Sequence, residues 1–81
     1  MLVTVRYFAG ARAAAGVAEE AVEATGTLGD LVADLESRHG QGLAKILVAA
    51  SFLVDGAPWH DRSAPLPGGV TVDVLPPFAG G

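Results

Sequence analysis

Four apolar residues fix the first element of this chain. Leu28, Leu31, Val32 and Leu35 recur at i, i+3, i+4 and i+7, the spacing that puts side chains on one face of an α-helix. Both ends of the stripe carry stop signals. Thr27 can cap the first turn, and Asp30, three residues on, approximates a capping box with a shorter acid than usual. Arg38 and His39 stand in the last turn, where positive charge meets the negative end of the helix dipole. Gly40 supplies the expected left-handed stop. A helix with one apolar stripe must bury it against another layer, and the rest of the sequence has to provide that layer.

Two segments alternate strongly enough to do so. In Leu2 to Phe8, Val3, Val5 and Tyr7 fall on one face and Thr4 and Arg6 on the other. In Val70 to Leu75, Val70, Val72 and Val74 oppose Thr71 and Asp73. These two strands suit central positions in a sheet. Glu19 to Ala24 reads as a polar edge strand, with Ala21 and Val22 nearest the core. Ser51 to Val54 reads as a further strand, and Asp55-Gly56 is a hairpin turn signal. Ala57 to His60 makes the short return, which Pro58 confines to an edge.

Two pieces are less determined. Ala11 to Ala15, between Gly10 and Gly16, fits a short helical turn before a reversal. Gly42 to Ala50 is ambiguous: Leu43, Ile46 and Leu47 have helical spacing, but the run is short. Strands on one side of a main helix give an α+β architecture.

The chain has 81 residues and reads as one small domain, residues 1–75, followed by a tail, 76–81. A domain this small buries only about 60% of its unfolded surface, so its core must be efficient. With 51% apolar residues it has the material. It has no cysteine, which removes disulfides and thiolate zinc sites. The net charge of −4 argues against nucleic acid and against an anionic membrane surface. Ala11 to Ala15 could mimic a signal-peptide cleavage site, but Arg6 interrupts the apolar run before it. No apolar run approaches the ~20 residues of a membrane helix. A cytoplasmic location is expected.

After the last strand the sequence runs Pro76-Pro77-Phe78-Ala79-Gly80-Gly81. The prolines end strand pairing and stiffen the exit. Glycine has no Cβ, so Gly80-Gly81 can enter a slot too narrow for other dipeptides. That leaves the carboxylate of Gly81 at the tip of a narrow, flexible arm. The plainer reading is a frayed tail that happens to end in glycine. Against it, the segment directly follows a strand, bears no charged side chain, and leaves a compact strand–helix domain.

The whole chain resembles the small subunit of molybdopterin synthase (MoaD). Five features carry the resemblance. They are Arg6-Tyr7-Phe8-Ala9 closing the first strand, a helix opening at Thr27-Leu28, Asp55-Gly56 in a hairpin, Pro65-Leu66 before a Gly turn, and the end Leu75-Pro76-Pro77-Phe78-Ala79-Gly80-Gly81. The ending is the most specific. The thiamine-pathway sulfur carrier shares the fold and the Gly-Gly but is usually shorter and lacks the Pro-Pro approach. The chain departs from the family at Arg12-Ala13-Ala14-Ala15-Gly16, where an Arg-Glu-Leu-like segment is common. A weaker helix contact is expected there.

The resemblance implies a ubiquitin-like β-grasp fold: a mixed sheet of about five strands with one main helix across it. It implies that the small subunit is a carrier without catalytic groups of its own. An E1-like enzyme spends ATP to adenylate Gly81, and sulfur from a persulfide donor replaces AMP to leave a C-terminal thiocarboxylate. The tail then docks into the large subunit, and the sulfur passes to cyclic pyranopterin monophosphate, building the dithiolene of molybdopterin. No bound cofactor is implied.

Phe8 and Leu75 stand out beside this. By alternation both point away from the face of Val5, Tyr7 and Val74. If the first and last strands are parallel neighbours, the two lie together where the tail leaves. Exposed apolar patches often mark partner surfaces. Phe8 and Leu75 are therefore candidate docking residues, with Pro77, Phe78, Ala79 and Gly80 along the arm. Half-burial by strand twist is the bland alternative.

Other candidates are weaker. His39 and His60 are isolated and lack metal-site spacing, so no metal is expected; His39 suits a helix-end cation and His60 a surface loop. Trp59 suits the core's edge. Gly68-Gly69 is a turn, since no Lys-Ser/Thr follows. Lys45 is the only lysine. A protein modifier joined through Gly81 to lysines elsewhere, a carrier for cysteine or thiamine synthesis, and an inert interaction module remain rival readings.

Overall fold

The computed structural model, described over residues 2–24 and 26–77, has five strands and three helices. They are β1 (Leu2–Tyr7), α1 (Ala9–Ala15), β2 (Glu19–Glu23), α2 (Leu28–His39), α3 (Gln41–Ala49), β3 (Ser51–Val54), β4 (Ala57–Pro58) and β5 (Thr71–Leu75). The sheet order is β2-β1-β5-β3-β4. β1 and β5 are parallel, and every other pair is antiparallel. The sheet is therefore mixed, with the two strongly alternating strands inside it and the polar β2 at one edge. This is the ubiquitin-like β-grasp architecture.

Strand parity decides what is buried. Val3, Val5 and Tyr7 of β1, Val72 and Val74 of β5, and Phe52 and Val54 of β3 are all buried on one face. Leu28, Leu31, Val32 and Leu35 of α2 and Leu43 and Leu47 of α3 close the same core. Burying each of these leucines contributes roughly 1.5–3 kcal/mol. The other face holds Thr4, Arg6, Thr71, Leu53 and Leu75, all exposed or half-buried.

The capping box of α2 is complete. Asp30 N donates to Thr27 Oγ1 at 3.1 Å, and Thr27 N donates to Asp30 Oδ2 at 3.0 Å. The ambiguous run after Gly40 is a helix, because Leu43 and Leu47 bury one face against the core. Gly40 joins the two helices with φ 81 and ψ −165. Its φ is positive as expected, but its ψ is extended, because it must also start α3.

Three details differ from the sequence reading. In β2 Val22 is buried and Ala21 is exposed, since Val22 pairs with the inward-facing Val3. The return strand spans only Ala57–Pro58, since Pro58 has no N–H with which to extend the ladder. The Ala-rich piece is a two-turn helix, ending at Gly16 with φ 79. The Asp55-Gly56 turn has φ 48 and 83, the paired positive values of a two-residue hairpin.

Candidate functional site

Because β1 and β5 are parallel, they end at the same edge of the domain. Their register pairs Arg6 with Asp73 and Tyr7 with Val74. Phe8 N then donates to Val74 O at 3.3 Å, which sets Phe8 beside Leu75. Phe8 is 37% exposed and Leu75 is half-buried. Both therefore lie together off the core face, at the point where the chain leaves the sheet. Leu75 also pairs with Ser51, and Leu53 lies beside Asp73. Pro76 is half-buried and Pro77 exposed. Phe78, Ala79, Gly80 and Gly81 lie outside the described residues.

An ion pair underlies this corner. Arg6 Nε donates to Asp73 Oδ1 at 2.7 Å and Arg6 Nη2 to Asp73 Oδ2 at 3.0 Å. Such a bidentate fork is the strongest form of the contact. Asp73 is the one buried charged residue among those described. The hydrogen bond and charge of Asp73 hold the Arg6 guanidinium even more firmly protonated than usual, with Glu19 adding attraction. The same guanidinium carbon lies 5.4 Å from the centroid of the Phe8 ring. Next in the chain, Ala9 has φ 48, a left-handed conformation unusual for alanine. A shallow depression of about 230 Å³ opens here between Arg6, Phe8, Arg12 and Glu19.

A second polar cluster lies behind the sheet. Glu20 Oε2 accepts from the Tyr7 hydroxyl at 2.6 Å and lies 2.5 Å from His39 Nε2. Burial pushes the Tyr7 phenol well above its ordinary range, with Glu20 adding to the shift, so it stays a donor. Burial works to raise the Glu20 carboxyl too, but the bonds from Tyr7 and His39 outweigh it and hold it below the usual range. His39 is thus tied to the edge strand as well as ending a helix. His60 is exposed and Trp59 packs at the core's edge.

The sequence places Phe8 and Leu75 together off the core face, as the structure has them, but does not single out the Arg6–Asp73 pair or Glu20. For the first the sequence offered only half of the signal: both residues sit at outward positions of strands read as central, but their pairing needs the register. Among the described residues no group of three or more His, Cys, Asp or Glu could hold a metal ion. No described helix is long and apolar enough to cross a membrane. Nothing in this corner is arranged as a nucleophile with its base. What it offers is an apolar ledge, a fixed ion pair and the start of an arm.

The profile of the ThiS family matches residues 5–81. Among curated proteins none matches the sequence. Several solved structures do match. A Pyrococcus furiosus protein assigned as molybdopterin converting factor subunit 1 is 27% identical, with 96% of this chain and 99% of that one covered and a TM-score of 0.79. A Helicobacter pylori complex of subunits 1 and 2 of molybdopterin-converting factor supplies another match. It is 26% identical over 100% of both chains, with a TM-score of 0.74. SAMP1 from Haloferax volcanii is 20% identical over 100% of both chains, with a TM-score of 0.83, and shares the fold.

Proposed function

This chain belongs to the ThiS family, and from that premise we propose that it is a sulfur carrier working through the carboxylate of Gly81. A carboxylate is a poor acylating group because its oxygen leaves badly. In this reading an E1-like enzyme transfers AMP from ATP onto the carboxylate, releasing pyrophosphate. The terminal sulfur of a persulfide donor then displaces AMP to give an acyl disulfide, and a second thiol cleaves its S–S bond, forming a disulfide with the donor's sulfur and releasing the thiocarboxylate. The domain supplies no acid or base for these steps. Its task is to present a narrow arm and a docking ledge.

The finer reading is that the chain is the small subunit of molybdopterin synthase. It would dock on a large subunit and give its sulfur to cyclic pyranopterin monophosphate. One observation carries this reading: Phe8 and Leu75 are brought together on the open face where β5 passes into Pro76-Pro77. Two subunit 1 proteins at 26–27% identity support it, and one of them is solved with its subunit 2. The family profile extends to Gly81, which supports taking that residue as the activated end.

The test is intact mass after incubation with ATP, an E1-like enzyme and a sulfur donor. A gain equal to replacing one oxygen by sulfur, absent when Gly81 is deleted, is the expected result. No gain with an enzyme shown to be active overturns the carrier reading. Stable conjugates to lysines of other proteins would instead make the chain a modifier.

A further inference from the structure

Neutralising Asp73 does not account for all that Arg6 does. A buried carboxylate needs a cation, and a lysine reaching across the strands would meet that need. Arg6 meets it with two parallel bonds, which fix the plane of its guanidinium. That fixed group then lies against the Phe8 ring, at a distance where a cation attracts an aromatic face. The main chain at Phe8 is constrained independently. Its N–H is bonded to Val74 O, and Ala9 beyond it is held at φ 48. Among the described residues the ring is the one exposed aromatic side chain at this corner, yet it is held from both the backbone and the guanidinium.

We propose that Arg6 is a positioning residue for docking: clamped on Asp73, it holds the Phe8 ring in its partner-ready orientation beside Leu75 before any partner arrives. The proposal rests on the docking role given to Phe8 above. Its physical sense is preorganisation. An aromatic anchor already confined loses less freedom on binding, so more of its contact energy appears as affinity. A purely structural Arg6 would support the β1–β5 pair and act equally whatever residue stood at position 8.

The experiment is a double-mutant cycle on affinity for the large subunit, measured by calorimetry with native protein, Arg6→Lys, Phe8→Leu and the double variant. Lysine keeps a cation for Asp73 but loses the fork and the planar face. Urea midpoints of all four proteins identify any loss that comes from unfolding. We expect Arg6→Lys to weaken binding about fivefold when Phe8 is present, and less than about twofold when Phe8→Leu is already in place. Equal losses in both backgrounds, or no loss in either, overturn the proposal.

If Phe8→Leu alone leaves affinity unchanged, the docking role itself fails. The positioning claim is then decided on the free protein by NMR. Cross-relaxation between the Arg6 side chain and the Phe8 ring protons should be present in the native chain and lost in Arg6→Lys. Ring contacts and ring mobility that are identical in the two proteins overturn it.

Discussion

His39, the last residue of α2, sets its Nε2 2.5 Å from Oε2 of Glu20 in the edge strand β2. The main helix is thereby fastened to a strand that contributes only Val22 to the core. Tyr7 donates to the same oxygen, and Arg38 Nη1 lies 3.9 Å from the other. Glu20 titrates below its ordinary range in the folded chain, although burial alone would raise it. Its contribution is therefore fully present above about pH 4.3, the unfolded value, and is lost as pH falls through the lower folded value. Glu20→Gln should cost about 1–2 kcal/mol at neutral pH. In urea titrations at a series of pH values, the gap between native and variant protein should narrow below about pH 4. A gap that stays constant across that range would count against the cluster.

The capping box at Thr27 and Asp30 makes a second prediction. Thr27→Ala should cost about 1 kcal/mol by removing the acceptor for Asp30 N. Gly26→Ala should be at least as damaging. Gly26 has φ 104, and a Cβ there would collide with the Asp30 carboxylate that closes the box. Thermal melts of both variants test the pair. If Gly26→Ala is silent, the box is looser than its geometry indicates.

Ala9 is strained where Thr27 is not. Its φ of 48 costs an alanine about 1–2 kcal/mol that a glycine avoids. Glycine also gains freedom in the unfolded chain, which offsets roughly 0.4–1 kcal/mol of that relief. Ala9→Gly should therefore raise stability by up to about 1 kcal/mol, seen as a higher urea midpoint. A lower midpoint would mean that the turn into α1 can relax without it.

These residues also mark the limit of what sequence patterns convey. The α2 stripe, its cap and the alternation of β1 and β5 are short-range and periodic, so they were legible. The helical identity of α3 was not, because Leu43, Ile46 and Leu47 have helical spacing over a run too short to decide the element until a core exists to receive it. The Arg6–Asp73 pair spans 67 positions and depends on parallel register, which no local pattern states. The outward placement of Phe8 and Leu75 was legible because they break the polar parity of their strands. Glu20 was lost among other acids of an edge strand, where charge is ordinary.

Gly81 is the residue on which the carrier reading turns. In that reading Gly81→Ala adds one methyl group beside the carbonyl that would react. The folded domain should be unchanged in its melting temperature. Thiocarboxylate formation and sulfur transfer should both fail, because a slot shaped for two glycines would have no room for a Cβ. Transfer at the native rate would show that Gly81 is not the activated end.

Phe8 gives the corresponding test of the ledge. Its ring is 37% exposed, so replacing it forfeits little core. Phe8→Asp should shift stability by about 1 kcal/mol or less. At a docking face the same change removes an aromatic anchor and puts a carboxylate where the partner expects an apolar surface. Anchors of this kind carry about 2 kcal/mol or more, which corresponds to roughly 30-fold in affinity. Calorimetry against the large subunit should therefore show binding weakened about 30-fold with the fold intact. Unchanged affinity would return Phe8 and Leu75 to the status of half-buried strand ends.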